Sequence, residues 1–146
     1  MTRLIQFLMI MPFLLSLACA SKEVALPKPD VPIDTEDSGL LRKYSQDDEY
    51  LNVKGMQKFL TQFDETKDEA KASKRWNYAA RFFGAASAVG LAYTLVGKDF
   101  TTQQRLEGGG AALGAFALGY LSLIISDNYL MEAVLTYNQA VLNIEY

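Results

Sequence analysis

The chain has 146 residues, 50% of them apolar and 21% charged, with no histidine and a single cysteine. With 17 acids against 14 bases, its net charge of −3 supplies no electrostatic footprint for nucleic acid. The missing histidine removes the commonest general base and metal ligand, and one cysteine makes neither an internal disulfide nor a thiolate cage. The sequence therefore predicts no catalytic, cofactor-binding or metal-ligating residue, shows no small-molecule substrate, and reads as something other than an enzyme.

Residues 1–18 read as a secretory signal peptide. Arg3 is followed by Phe7 to Leu17, an uncharged apolar run too short for a spanning helix and interrupted by Pro12. Leu15-Ser16-Leu17-Ala18-Cys19 is similar to a bacterial lipobox, with Ser16 and Leu17 in swapped order at the variable positions. Cleavage before Cys19 makes that residue a lipidation site. The alternative is cleavage after Ala20 by the ordinary signal peptidase, since Ala18-Cys19-Ala20 is a small-x-small site. Residues 19–44 read as a flexible tether, because Pro27, Pro29, Pro32 and interleaved charges deny them a helix and a core.

The remainder, 45–146, is predicted as one all-α domain. From Ser45 to Asn77 the sequence is polar with a helical period: Met56, Phe59, Leu60 and Phe63 form one face, and Ala70 continues it. The charges from Asp64 to Arg75 form the solvated outer face, and the paired carboxylates Asp47-Asp48-Glu49 and Asp64-Glu65 lie on a polar, solvated stretch that offers no acid/base site. Two apolar segments follow, 78–97 with Arg81 as its one charge and 108–126 with none. Each is close to ~30 Å long as a helix, the thickness of a bilayer's hydrocarbon core. The polar connection 98–107 makes them an antiparallel hairpin, read either as transmembrane or as the centre of a soluble bundle. Gly108-Gly109-Gly110 lacks the Lys-Ser/Thr of a phosphate loop and reads as a flexible or closely packed helix start.

Small residues recur every fourth position, as in helices that associate closely in lipid. Ala80, Gly84, Ala88 and Ala92 form one ladder; Ala111, Ala115 and Gly119 form the other, with Gly110 and Gly114 beside it. Trp76, Tyr78 and Arg81 form an interface belt, which reads as a bilayer edge or as a surface aromatic cluster. The last segment, Asp127 to Tyr146, is an amphipathic helix with Asp127 as N-cap. Its stripe of Leu130, Val134, Tyr137, Val141 and Ile144 is a core face for Met56 and Phe63 or a docking face for a partner.

Cys19 upstream of an Ala/Gly hairpin resembles the glycine-zipper lipoproteins of bacterial outer membranes. That resemblance implies a structural envelope role, with membrane lipid and either self-association or another envelope protein as partners. The basic flank Lys71, Lys74, Arg75 and Arg81 favours a cytoplasmic position, whereas a cleaved signal places it outside. The conflict is relieved if the whole chain is exported first and the hairpin then enters the outer membrane or packs in an oligomer. The expectation is an exported, lipid-anchored envelope protein with a scaffolding role, facing the periplasm from the outer rather than the inner membrane. Its alternative is a soluble periplasmic helical adaptor that binds a partner through the C-terminal helix.

Overall fold

A computed structural model describes residues 27–39, 41–96 and 100–144. The signal-like residues 1–18 and Cys19 lie outside the described residues, as does the side chain of Ile144. The described chain is mainly helical, with three strands followed by three helices: β1 (Asp34–Asp37), β2 (Arg42–Gln46), β3 (Glu49–Tyr50), α1 (Val53–Leu60), α2 (Lys67–Val96) and α3 (Thr102–Ile144). The two long helices pack against one another as an antiparallel pair. The sheet and α1 cover the end where α2 begins and α3 finishes.

Residues 27–50 differ from the flexible tether and helix start read from the sequence. Three antiparallel strands pair in the order β1-β2-β3, with Thr35 opposite Tyr44 and Gln46 opposite Glu49. Asp47 and Asp48 both have positive φ, at 51° and 64°, the signature of the tight turn that matches strand twist. In β2 the alternating residues Tyr44 and Gln46 are buried. The proline-rich segment before β1 is docked by side chains that stand in for strand partners. Gln46 receives the Lys28 N–H at 2.6 Å and donates to the Val31 carbonyl, also at 2.6 Å. Asn138 of α3 brackets Ile33, accepting from its N–H and donating to its carbonyl, each at 2.8 Å. Proline prevents regular structure here, but it does not prevent docking through the remaining backbone groups.

The polar helix expected across 45–77 is two helices. Asn52 caps α1 by accepting from the Lys54 N–H at 2.8 Å. Buried Thr66 donates to the Leu60 carbonyl at 2.6 Å, adding to the long 3.4 Å bond this acceptor receives from the Phe63 N–H at the end of α1. The break lets Phe63 fold back, with its ring 5.0 Å from Phe59 and 5.2 Å from Tyr137. One core results, with Ile33, Tyr44, Met56, Leu60, Leu130 and Val134 at its centre and Tyr137 and Val141 beside them.

A further correction concerns the C-terminus. Asp127 is not an N-cap; α3 runs unbroken through it for 43 residues. A carboxylate is tolerated in mid-helix because the sheet supplies its partners. Tyr44 Oη donates to Asp127 Oδ1 at 2.9 Å, and Arg42 Nη1 reaches Asp127 Oδ2 at 3.0 Å. Burial, and after it the Asp127 carboxylate, push the Tyr44 hydroxyl well above the ordinary tyrosine range.

Three outcomes follow for the head of the molecule. Leu60→Ala should destabilise it by about 2–5 kcal/mol in a denaturant titration, because Leu60 is fully buried. Asp48→Gly should stabilise it by about 0.5–1 kcal/mol by relieving a positive φ. Tyr44 holds its proton more tightly folded than unfolded, so its contribution is complete below about pH 10 and is lost as pH rises further. Unfolding midpoints across that range should fall for the wild type, and Tyr44→Phe should flatten the fall.

Candidate functional site

Beyond the head, α2 and α3 continue as a two-helix hairpin with an unusual division of side chains. Its inner seam is built from Gly, Ala and Ser. Ser73 faces Ser126, with 3.2 Å between the hydroxyls, and Ser126 Oγ also donates to the Ser73 carbonyl at 2.9 Å. Further out, a Cβ on Gly119 would lie 3.3 Å from the Ala80 carbonyl oxygen and 3.4 Å from the Gly84 nitrogen. A Cβ on Gly90 would meet Ala112 at 3.1 Å, and one on Gly108 would meet Thr94 at 2.6 Å. Glycine at these positions is what lets the backbones approach.

The seam steps by seven residues rather than four: Ser73, Ala80, Ser87 on α2 and Ala112, Gly119, Ser126, Ala133 on α3 are buried. Of the ladder read from the sequence, Ala80 and Gly119 are in the seam and Gly84 touches it. Ala92 and Ala115 are half-buried, whereas Ala88, Gly110, Ala111 and Gly114 are exposed. Four residues turn an α-helix about 40° past a full revolution, so a four-step ladder rotates off any straight seam; seven residues fall only ~20° short of two revolutions. The seven-residue recurrence of Ser, Ala and Gly was the signal for Ser73, Ser87, Ala112 and Ser126.

With the seam filled by small residues, the large apolar side chains face outward. Phe82 is 69% exposed, Leu95 82%, Leu113 65% and Phe116 63%. Both long helices are long and apolar enough to cross a membrane, and the most apolar stretch of each is only 11% (α2) and 17% (α3) buried within the chain. Hydroxyls in this region bond to their own helix: Thr94 Oγ1 to the Leu91 carbonyl at 2.8 Å, and Ser122 Oγ to the Leu118 carbonyl at 2.7 Å. Such bonds leave little demand for water.

Aromatic residues bracket the apolar zone. Trp76, Tyr78 and Arg81 are exposed at the head end, where Arg81 Nε donates to Asn77 Oδ1 at 3.1 Å. At the tip the Tyr93 and Phe100 rings lie 4.7 Å apart. Tyr78 and Tyr93 are about 22 Å apart along the helix. The tip itself is closed by a reciprocal cap: Thr101 N–H donates to Gln104 Oε1 at 3.0 Å and Thr101 Oγ1 accepts from Gln104 N–H at 3.3 Å. α3 therefore starts six residues before the position expected from its glycines, and Gly108 to Gly110 lie inside it. Among the described residues no three His, Cys, Asp or Glu side chains are grouped to hold a metal.

The face left open between core and partner is occupied by the core: Leu130, Val134, Tyr137 and Val141 pack with Met56 and Phe59. No protein-family model, curated protein or solved structure matches the chain. Fold and surface together define its class, a helical-hairpin protein carrying two candidate membrane-crossing helices.

Gly119→Val should cost about 1–3 kcal/mol in thermal or denaturant unfolding, since the added methyls meet the α2 backbone. Gly114→Ala, with nothing within 4 Å of the new Cβ, should be neutral or stabilise by up to ~1 kcal/mol. The four-step ladder makes no such distinction between the two glycines.

Proposed function

We propose that the chain is an exported cell-envelope protein whose hairpin is embedded in a membrane, with the sheet-and-α1 head standing at the surface as a scaffold. The observation that carries this reading is the outward apolar band of the hairpin, left open by a seam that its own small residues already fill. A soluble two-helix hairpin would bury those side chains or replace them with charges. The signal-like residues 1–18 and the lipobox-like Cys19 support export and a lipid anchor, in line with the resemblance to glycine-zipper lipoproteins.

The antiparallel pairing also eases the charge conflict. Residues before 78 and after 126 belong to one end of the hairpin, so the basic flank and the acidic tail share a side. The tip from Lys98 to Glu107 carries two bases and two acids, a small balanced load for the end that crosses. The ~22 Å between the aromatic groups suits the thinner bilayer of a bacterial outer membrane.

In a Cys19→Ala chain, where lipidation is removed, the protein should stay in the membrane pellet after alkaline carbonate. A Gln104→Cys probe added to that chain should resist an impermeant maleimide applied from the head's side of sealed vesicles, while Lys67→Cys reacts. Release by carbonate, with both positions labelled equally, would instead establish the soluble adaptor.

A further inference from the structure

Where α1 crosses α2, the two helices enclose a groove of about 460 Å³ at the level of the aromatic belt. Lys54 and Lys58 project into it from α1, and Lys74 and Arg81 from α2, with Asn77 and Tyr78 between them. Among the described residues no aspartate or glutamate lines it, although the chain as a whole carries −3. The ion pairs formed among the described residues engage Lys28, Arg42 and Lys67 and none of these four cations. Four like charges around one concavity repel each other unless an anion sits among them.

The groove continues onto apolar surface. Tyr78, Phe82 and Val89 are spaced by four and seven residues, one face of α2. Phe82, one turn past Tyr78, is 69% exposed, and Val89, two turns further along the helix, is 60% exposed. A ligand with a phosphate among the four cations and a hydrocarbon chain along Phe82 and Val89 satisfies both halves of this surface.

We propose that the groove is a binding site for the headgroup phosphate of an anionic phospholipid, seated with its acyl chains against the α2 face of the hairpin. The inference rests on the membrane-embedded reading and adds to it a lipid class and a position. Free phosphate shares the headgroup's charge but not its chain, so it gains nothing from Phe82 and Val89.

The test is lipid retention by the full chain in detergent, offered equal amounts of phosphatidylglycerol and phosphatidylcholine and read by native mass spectrometry. The wild type should retain phosphatidylglycerol preferentially. Lys74→Gln with Arg81→Gln, and separately Lys54→Gln with Lys58→Gln, should each reduce that preference by about fivefold per cation removed. Lys43→Gln with Lys67→Gln, outside the groove, should leave it intact, and all chains should keep the same helical circular dichroism. Phe82→Gln should weaken phosphatidylglycerol retention without altering a melting shift caused by inorganic phosphate.

Equal retention of the two lipids by the wild type, or a preference unmoved in both groove variants, overturns the proposal while the Gln104→Cys labelling shows whether the hairpin still inserts. A groove-dependent melting shift with inorganic phosphate and no lipid preference would make the ligand a soluble anion, which also overturns it. Failure of insertion itself would appear in the labelling and removes the embedded reading together with this one.

Discussion

The close approach of two helix backbones organises this molecule. Glycine, alanine and serine along the seam allow it, and they allow it only in a register where Gly119 meets Ala80 and Ser126 meets Ser73. Such a seam buries little apolar area, so it is held by dispersion and by hydroxyl hydrogen bonds rather than by a large hydrophobic gain. The same choice turns most bulky side chains of the hairpin outward, Phe82, Leu95, Leu113 and Phe116 among them. Tight packing inside and an uncovered apolar outside are therefore one design decision.

The head uses the opposite solution. Around Leu130, Val134 and Tyr137 the seam opens to large residues, and α1 with the sheet closes over them. The change is marked by a buried polar junction. Gln57 Nε2 donates to Ser73 Oγ at 2.9 Å, and Ser73 in turn meets Ser126, so three helices are joined where small-residue packing gives way to a conventional core. Fully partnered polar groups of this kind specify one arrangement in a region where apolar packing alone would permit sliding.

The helical hairpin was legible in the sequence because two long apolar segments, with Arg81 as their one charge, separated by a polar turn have few other solutions. The Met56, Phe59, Leu60 face and the Leu130 to Val141 stripe were legible for the same reason: helical periodicity survives single-residue exceptions. The sheet was not. Its first strand, Asp-Thr-Glu-Asp, is exposed throughout and has no alternation, and its second buries one tyrosine and one amide rather than a hydrophobic set. The docking of Lys28 to Ile33 depends on Gln46 and Asn138, 15 to 105 residues distant in sequence, which no local pattern announces. Asp127 resembles a helix start in the sequence because its partners, Tyr44 and Arg42, lie in a segment whose prolines and charges give no local sign of structure. The basic groove is not legible in the sequence because its charges come from two helices, and on each they look like an ordinary solvated face.

The unbroken path of α3 has a mechanical consequence. At ~1.5 Å per residue its 43 residues form a rod of about 64 Å that belongs both to the hairpin and to the core of the head. No hinge separates the two, and the Asp127 contacts clamp the sheet to the rod near the point where it leaves the apolar zone. Membranes of different thickness tilt the helices they hold. With the hairpin embedded as proposed, any such tilt would carry the head with it as the pointer of a gauge follows its spindle, so bilayer thickness would be converted into the direction the head faces.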